Sequence, residues 1–228
     1  MYQPIPDIRG NDGWREVAIE PVDERLVPVA DIGGRVREDP RYWAMGLPGA
    51  VAACHVREGV AEALTVAAGA LPVGLGLLVW DGHRAIETQQ ALFNGYLNEL
   101  IAMHPDWPAD LLEEEAARYV TPPSRSAGAP PPHLTGGAVD LTLTGAGAEP
   151  LDLGTEFDAF VPEAGARAFE DTPGAVRDHR RILYGAMTSA GFTPYVEEWW
   201  HYDLGNQFWG LQTGQSARYG PADPPTAG

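Results

Sequence analysis

Apolar and polar positions change period several times along the chain, and each change marks an element. Short β-like runs at 17–19 and 26–29 come first, broken by Gly33-Gly34. Residues 58–70 are Ala-rich and predict a helix that ends before Pro72. The apolar run 73–80, bounded by Pro72 and Asp81-Gly82, predicts a buried strand. Over 85–103, Ile86, Phe93, Leu97, Leu100 and Ile101 fall on one helical face, with Gln89, Gln90, Asn94 and Asn98 elsewhere. Pro105 and Pro108 close that helix, and a shorter acidic helix is expected at 109–119.

Five prolines among residues 121–132 predict a loop. Residues 138–143 then alternate at period two, a strand with Val139, Leu141 and Leu143 on one face. Residues 144–172 read as irregular. A helix is predicted at 174–190, with Thr172 as cap, Pro173 at its first position and Gly191 past its end. The aromatic-rich segment 195–204 reads as a strand. From residue 212 the chain is rich in Gly, Pro, Ser and Ala and reads as a flexible C-terminal tail, leaving 1–211 as a single domain. Helices and strands mix without regular alternation, so the class is α+β.

At 228 residues the chain can bury a sizeable core. Its 15 Lys+Arg against 32 Asp+Glu give a net charge of −17. That balance argues against nucleic-acid partners, which need a basic footprint, and against anionic membranes. There is no run of 18 apolar residues to span a bilayer. Residues 1–10 show neither the basic nor the apolar region of a secretory signal, and Cys54 has no partner for a disulfide, so the expected location is the cytoplasm. Cys54 itself reads as a small buried hydrophobe. Composition says nothing of oligomeric state.

Three groups of residues carry candidate chemistry. His133, Gly136-Gly137 and Asp140 place an imidazole seven positions before a carboxylate in an apolar strand. A carboxylate there needs a partner, and a metal ion is one. Glu197-Glu198-Trp199-Trp200-His201 sets two acids beside two indoles and an imidazole. Two histidines and a carboxylate with one open position make a catalytic zinc set, and a neighbouring carboxylate serves as base. Spacing does not choose between Glu197 and Glu198. A regular strand would point Glu198 and His201 to opposite faces, so one site can use both only if the strand bulges or ends there. Arg84 follows the buried strand after the Gly82 turn, where a permanent cation can stabilise an oxyanion. Each group alone has an ordinary reading as well: a loop histidine, a half-exposed strand, a surface ion pair. His179 reads as a hydrogen-bonded histidine at the edge of its helix's apolar face, while His55, His83 and His104 show no ligand spacing.

Taken together and in this order, the segments LLVWDGHR (77–84), PPHLTGGAVDLTL (131–143), LDLGTEFDAF (151–160) and EEWWHYDL (197–204) resemble the zinc-dependent D-alanyl-D-alanine dipeptidases of the vancomycin-resistance type. The wider peptidase family includes D-Ala-D-Ala carboxypeptidases and murein endopeptidases. Four of the five fixed positions of its signature Ser-x-His-x-x-Gly-x-Ala-x-Asp are matched at 131–140, and its Glu-x-Trp-His ending at 198–201. The resemblance implies an α+β fold with a small antiparallel sheet flanked by helices, and one Zn2+ per chain on His133, Asp140 and His201. It implies Glu198 as the base, Arg84 as the transition-state cation, and Asp158 for the substrate's ammonium. Trp199 and Trp200 would then keep water from the base. The implied reaction is hydrolysis of D-Ala-D-Ala or a related D,D-dipeptide. A carboxypeptidase or endopeptidase on wall peptides, or a zinc-binding module without catalysis, are the competing readings. Three departures bear on substrate choice: Pro131 stands where the signature has Ser, Gly82-His83-Arg84-Ala85 where the family has Gly-Tyr-Arg-Pro, and the Pro-rich stretch 105–132 is longer than the family needs.

Overall fold

The computed structural model of the chain describes residues 2–223. In chain order its elements are β1 (Leu26–Pro28), β2 (Val36–Glu38), α1 (Arg41–Ala44), β3 (His55–Arg57), α2 (Glu58–Ala70), β4 (Gly76–Asp81), α3 (Ile86–Met103), α4 (Ala109–Tyr119), β5 (Ala138–Thr144), α5 (Ala175–Ser189), β6 (Thr193–Pro194), β7 (His201–Asp203) and α6 (Gln207–Thr213). Three helices fall where apolar period and proline punctuation set them, at α2, α3 and α4. Among the described residues no helix is long and apolar enough to cross a membrane.

A five-stranded sheet of order β2-β4-β5-β7-β6 organises the chain, with β1 and β3 paired apart from it. The sheet is antiparallel except at its edge, where β2 runs parallel to β4. The connection from β2 to β4 passes through α2, and such a crossover returns the chain in its original direction. On β5, Val139, Leu141 and Leu143 enter the main core with Val60 and Leu64 of α2 and Leu183 and Met187 of α5. Burying side chains of this size contributes about 1.5–3 kcal/mol each. The alternate positions, Asp140 and Thr142, face the other way and are also buried. A second, smaller core joins α3 and α4 through Phe93, Tyr96, Leu100, Leu112 and Tyr119, with Phe160 against it.

Several expectations need correction. The strand expected at 73–80 begins only at Gly76, because 72–75 form a turn (Leu75 N–H to Pro72 O, 3.2 Å) that leaves Val73 exposed. On α3, Ile101 is exposed and Gln89 is buried, since Gln89 has polar partners inside. Helix α5 starts at Ala175 with extended Gly174 as its cap, so Thr172 and Pro173 lie outside it. Segment 195–204 is strand only from His201. The residues before it turn, tied by Trp199 N–H to Ala164 O (2.9 Å), so aromatic composition there reflects core packing rather than a sheet.

The expected tail is also otherwise. Helix α6 runs to Thr213, past the expected boundary at 211. Residues 217–222 then form a strap over the molecule. Ala217 pairs with Ile19, Tyr219 is 1% exposed, and the Ala222 N–H donates to Leu134 O (2.8 Å). Small residues suit such a strap because its bonds are made by backbone. The rest of that tail, 224–228, lies outside the described residues.

Irregular segment 144–172 is held from beneath by one buried cation. Arg180 on α5 donates to Leu153 O (2.7 Å), Gly165 O (2.6 Å) and Glu163 O (2.8 Å). Burial lowers its pKa to about 10, and it still serves as a cationic peg for three carbonyls. The loop between those carbonyls presents Asp158.

Candidate active site

Sheet register assembles the site. Asp81 on β4 pairs with Asp140 on β5, and Asp140 pairs with His201 on β7. One row across three strands thus carries two carboxylates and an imidazole. A register irregularity between Val79 and Asp81 shifts Asp81 into that row. His133 enters from a single 3-10 turn, Pro132–Thr135, that precedes β5. The turn ends at Gly136, whose φ of +71° suits glycine, and a side chain there would strike Leu26. Gly82 lies close to backbone as well: a Cβ on it would sit 2.4 Å from His55 O.

His133, Asp140 and His201 are all buried, and their ligand atoms lie within 4.8 Å of one another. His133 Nε2 is 3.1 Å from His201 Nδ1, and Asp140 Oδ1 is 3.1 Å from His201 Nδ1 and 3.4 Å from His133 Nε2. Ligands at about 2.0–2.1 Å in a tetrahedron stand roughly 3.3 Å apart, so the triangle has the size of a zinc face. The outer ring nitrogens agree with this. His133 Nδ1 faces Gly82 O (2.8 Å) and His201 Nε2 faces Asp203 Oδ1 (3.1 Å). Protons on those outer nitrogens leave both inner lone pairs pointing at one place, an arrangement that a cation satisfies. The donor set therefore fits a divalent metal. Burial would raise the Asp140 pKa, yet His133 and His201 hold it well below the usual carboxylate range. Burial opposes a charge on His201 too, but Asp203 and Asp140 push its pKa up.

Three further groups surround this triangle in a small pocket with a cavity volume of about 40 Å³. Glu198 lies in the turn before β7, with Oε2 4.0 Å from His201 Nδ1. Because β7 begins only at His201, the two side chains share a site without any bulge. Burial raises the Glu198 pKa well above its ordinary value, helped by Asp140 and Asp158 and opposed by His201. Glu197 points elsewhere, in a half-exposed ion pair with Arg118 (2.9 Å). Arg84 is buried and spends its fork on Asp81 Oδ2 (2.8 Å), Gln89 Oε1 (3.0 Å), the Tyr42 hydroxyl (3.3 Å) and Asp140 Oδ2 (3.2 Å). It is no surface ion pair.

Asp158 sits on the pocket wall at φ +59°, a left-handed conformation that costs a non-glycine residue about 1–3 kcal/mol. The Tyr42 hydroxyl is 3.0 Å from Oδ2 and 3.2 Å from Oδ1. Burial, then Asp140, push the Asp158 pKa up to about 7. The folded value exceeds the unfolded one, so this carboxyl costs stability increasingly as pH rises from about 4 to about 7. Asp158→Asn is expected to stabilise the metal-free protein at pH 8, by up to about 4 kcal/mol, and to change little at pH 4. Thermal melts at the two pH values check this; an equal effect at both would contradict it.

Trp199 and Trp200 are not on the pocket wall. Both are buried in the main core, where Trp199 Nε1 donates to Thr155 Oγ1 (2.8 Å) and its ring meets Trp80 and Trp200 edge-on. They form a floor under Phe157, which contacts Trp80 and Trp200 and precedes Asp158. The apolar and aromatic part of the pocket lining comes instead from Leu92, Tyr119, Val120, Phe160, Tyr195 and Phe208. His83 is buried, with Nε2 3.2 Å from Ala222 O in the strap. Cys54 is buried in the main core as expected. Sequence reasoning missed Tyr42, Asp81, Gln89, Asp203 and Asn206. Only Asp203 left a signal, lying two positions after His201 on a strand and so on the same face.

Fold and site define the class: an α+β protein with, among the described residues, one cluster of three side chains able to hold a metal, flanked by a buried carboxyl and a buried guanidinium. The model of the peptidase M15 family, described as D-ala-D-ala dipeptidase, matches residues 23–217, and the chain belongs to that family. Curated relatives are D-alanyl-D-alanine dipeptidases. The one from Synechocystis is 28% identical over 157 residues, covering 61% of this chain and 63% of the relative. Those from Enterococcus faecium and Escherichia coli are 32% and 29% identical, covering 58% of this chain in both cases and 63% and 56% of the relatives. The matches thus span less than two thirds of those proteins. Among solved structures, the vancomycin resistance D,D-pentapeptidase VanY with Zn(II) aligns at TM-score 0.44 and 17% identity, over 73% of this chain and 83% of that one. The D,D-dipeptidase VanXYg with a D-Ala-D-Ala phosphinate analogue aligns at 0.42 and 20%, over 72% and 57%.

Proposed function

We propose that the chain is a zinc-dependent D,D-dipeptidase acting on D-Ala-D-Ala or a close relative, with His133, Asp140 and His201 holding one ion. The observation that carries this reading is the convergence of three inward-facing ligand atoms with Glu198, Arg84 and Asp158 in one small pocket. When bound, zinc supplies Lewis-acid chemistry, acidifying water and polarising a carbonyl oxygen.

The chain's own residues do the rest. Glu198 takes a proton from the attacking water and returns it to the leaving amine as the C–N bond breaks. Its raised pKa suits a group that must both accept and give. Arg84 keeps its charge at any working pH and turns it toward the developing oxyanion. Asp81, Gln89 and Tyr42 fix that guanidinium before substrate arrives. Asp158, aimed by Tyr42, receives the ammonium of a free N-terminus. The pocket's small size limits the substrate to a short one. Pro131 offers no hydroxyl where the signature has one, so the substrate's carboxylate must find its donors elsewhere.

The test is release of free D-Ala from D-Ala-D-Ala by zinc-loaded protein, beside L-Ala-L-Ala and N-acetyl-D-Ala-D-Ala. Turnover of the first alone supports the reading. Zinc bound with no turnover would overturn it in favour of a binding module. Cleavage of longer wall peptides but not dipeptides would replace it with a carboxypeptidase or endopeptidase.

A further inference from the structure

We infer that Asp203, anchored by Asn206, is the positioning residue that orients His201 and sets the metal affinity of the site, an inference that rests on the metal-binding reading above. Strand β7 runs only from His201 to Asp203. Its period of two puts both side chains on one face, while Tyr202 between them turns into the core. The carboxylate therefore lies behind the ring, on the side away from Asp140. His201 Nε2 donates to Asp203 Oδ1 at 3.1 Å, leaving Nδ1 as the inward donor atom.

Asn206 holds that carboxylate still. Its Nδ2 donates to the same oxygen, Asp203 Oδ1, at 2.5 Å and approaches Gly137 O at 3.3 Å. Its Oδ1 accepts from Trp209 N–H at 3.0 Å, capping α6. The cap, the carboxylate and the start of β5 are thus joined through one amide. Asn206 is fully buried and Asp203 is 1% exposed.

A carboxylate buried so deeply calls for positive charge. Among the described residues, its one salt-bridge partner is His201; no Arg or Lys reaches it. Compensating charge therefore reaches it through the imidazole, and a metal ion at Nδ1 would supply it. His133 differs. Its outer nitrogen meets a neutral carbonyl, Gly82 O, at 2.8 Å, and the nearby Asp81 Oδ2 (3.2 Å) is shared with Arg84. Asp203 is the undivided carboxylate behind a ligand. Such carboxylate–histidine pairs fix the ring and strengthen its free nitrogen as a donor.

The experiment measures the zinc dissociation constant by competition with a chromophoric chelator, for native protein, Asp203→Asn and Asn206→Ser, with metal-free melts of each. Asp203→Asn keeps the shape and the acceptor and removes only the charge. It is expected to weaken zinc binding about 10–100-fold, with the metal-free protein still folded. Asn206→Ser keeps a capping hydroxyl and removes the bond to Asp203, so a smaller weakening is expected. At saturating zinc, both variants should retain the native KM, because neither residue touches the pocket. Native-like zinc affinity in Asp203→Asn would overturn the inference. Should that variant not fold, native-like affinity in Asn206→Ser overturns it instead. Native protein that binds no zinc would overturn the metal reading itself, a distinct result.

Discussion

Glu198→Gln is expected to lower turnover of D-Ala-D-Ala about 10²–10⁴-fold while the protein keeps its zinc and, in its metal-free form, gains stability. Each of the three parts has its own cause. Glu198 is buried beside Asp140 and Asp158, and its pKa is raised well above normal. A raised folded-state pKa means that ionisation is resisted in the fold. The cost is absent below the unfolded value, grows as pH rises through it, and is complete above the folded value. An amide has no such cost, so the metal-free variant should melt higher than metal-free native protein at pH 8 and about equally at pH 4. The amide cannot take a proton from water, so chemistry stops. The residue does not belong to the ligand triangle, with Oε2 4.0 Å from His201 Nδ1, so zinc stays. In native enzyme the same carboxyl should place the acid limb of the rate profile above the ordinary Glu range of about 4.3. Turnover within threefold of native would remove Glu198 from the mechanism.

Arg84→Ala carries the largest expected stability loss, about 3–5 kcal/mol, because it strands two buried acids. Arg84 joins Asp81 and Asp140, whose side chains are 12% and 2% exposed. Arg84→Lys separates charge from shape. A lysine restores one positive charge but cannot reach Asp81, Gln89, Tyr42 and Asp140 together, as the planar fork does. It should recover part of the stability and still lose about 10²–10³-fold in kcat, since the oxyanion meets a misplaced cation. Calorimetry and steady-state kinetics on the two variants check this. A lysine enzyme as fast as native would mean that charge alone suffices.

Legibility of the chain divides along a physical line. Helices α2, α3 and α4 are set by local apolar period and by prolines, and local signals are what a sequence displays. The triangle of His133, Asp140 and His201 is different. Its members meet because β5 lies between β4 and β7 in one register, and no spacing in the chain encodes strand order. Family likeness supplied what spacing did not. Asp81 and Gln89 escaped notice because an acid or amide that braces an arginine looks like any other polar residue. Trp199 and Trp200 misled in the opposite sense: aromatic content suggested a strand and a pocket wall, whereas both indoles are packed in the core. Residues 212–223 depart from the expected tail for a similar reason. Composition measures side chains, and the strap is held largely by its backbone.

That strap has a consequence for how the protein is made. Ala222 touches both His83, next to Arg84, and Leu134, next to His133. On the ribosome these two loops emerge long before Ala222 exists. The loops that bear the arginine and the first histidine already meet through Arg84 N–H to His133 O (3.1 Å) and His133 Nδ1 to Gly82 O (2.8 Å), and residue 222 adds one further tie to each. That tie forms only once residue 222 has been added, so the two loops reach their full set of bonds later in synthesis than the sheet that carries Asp140 and His201.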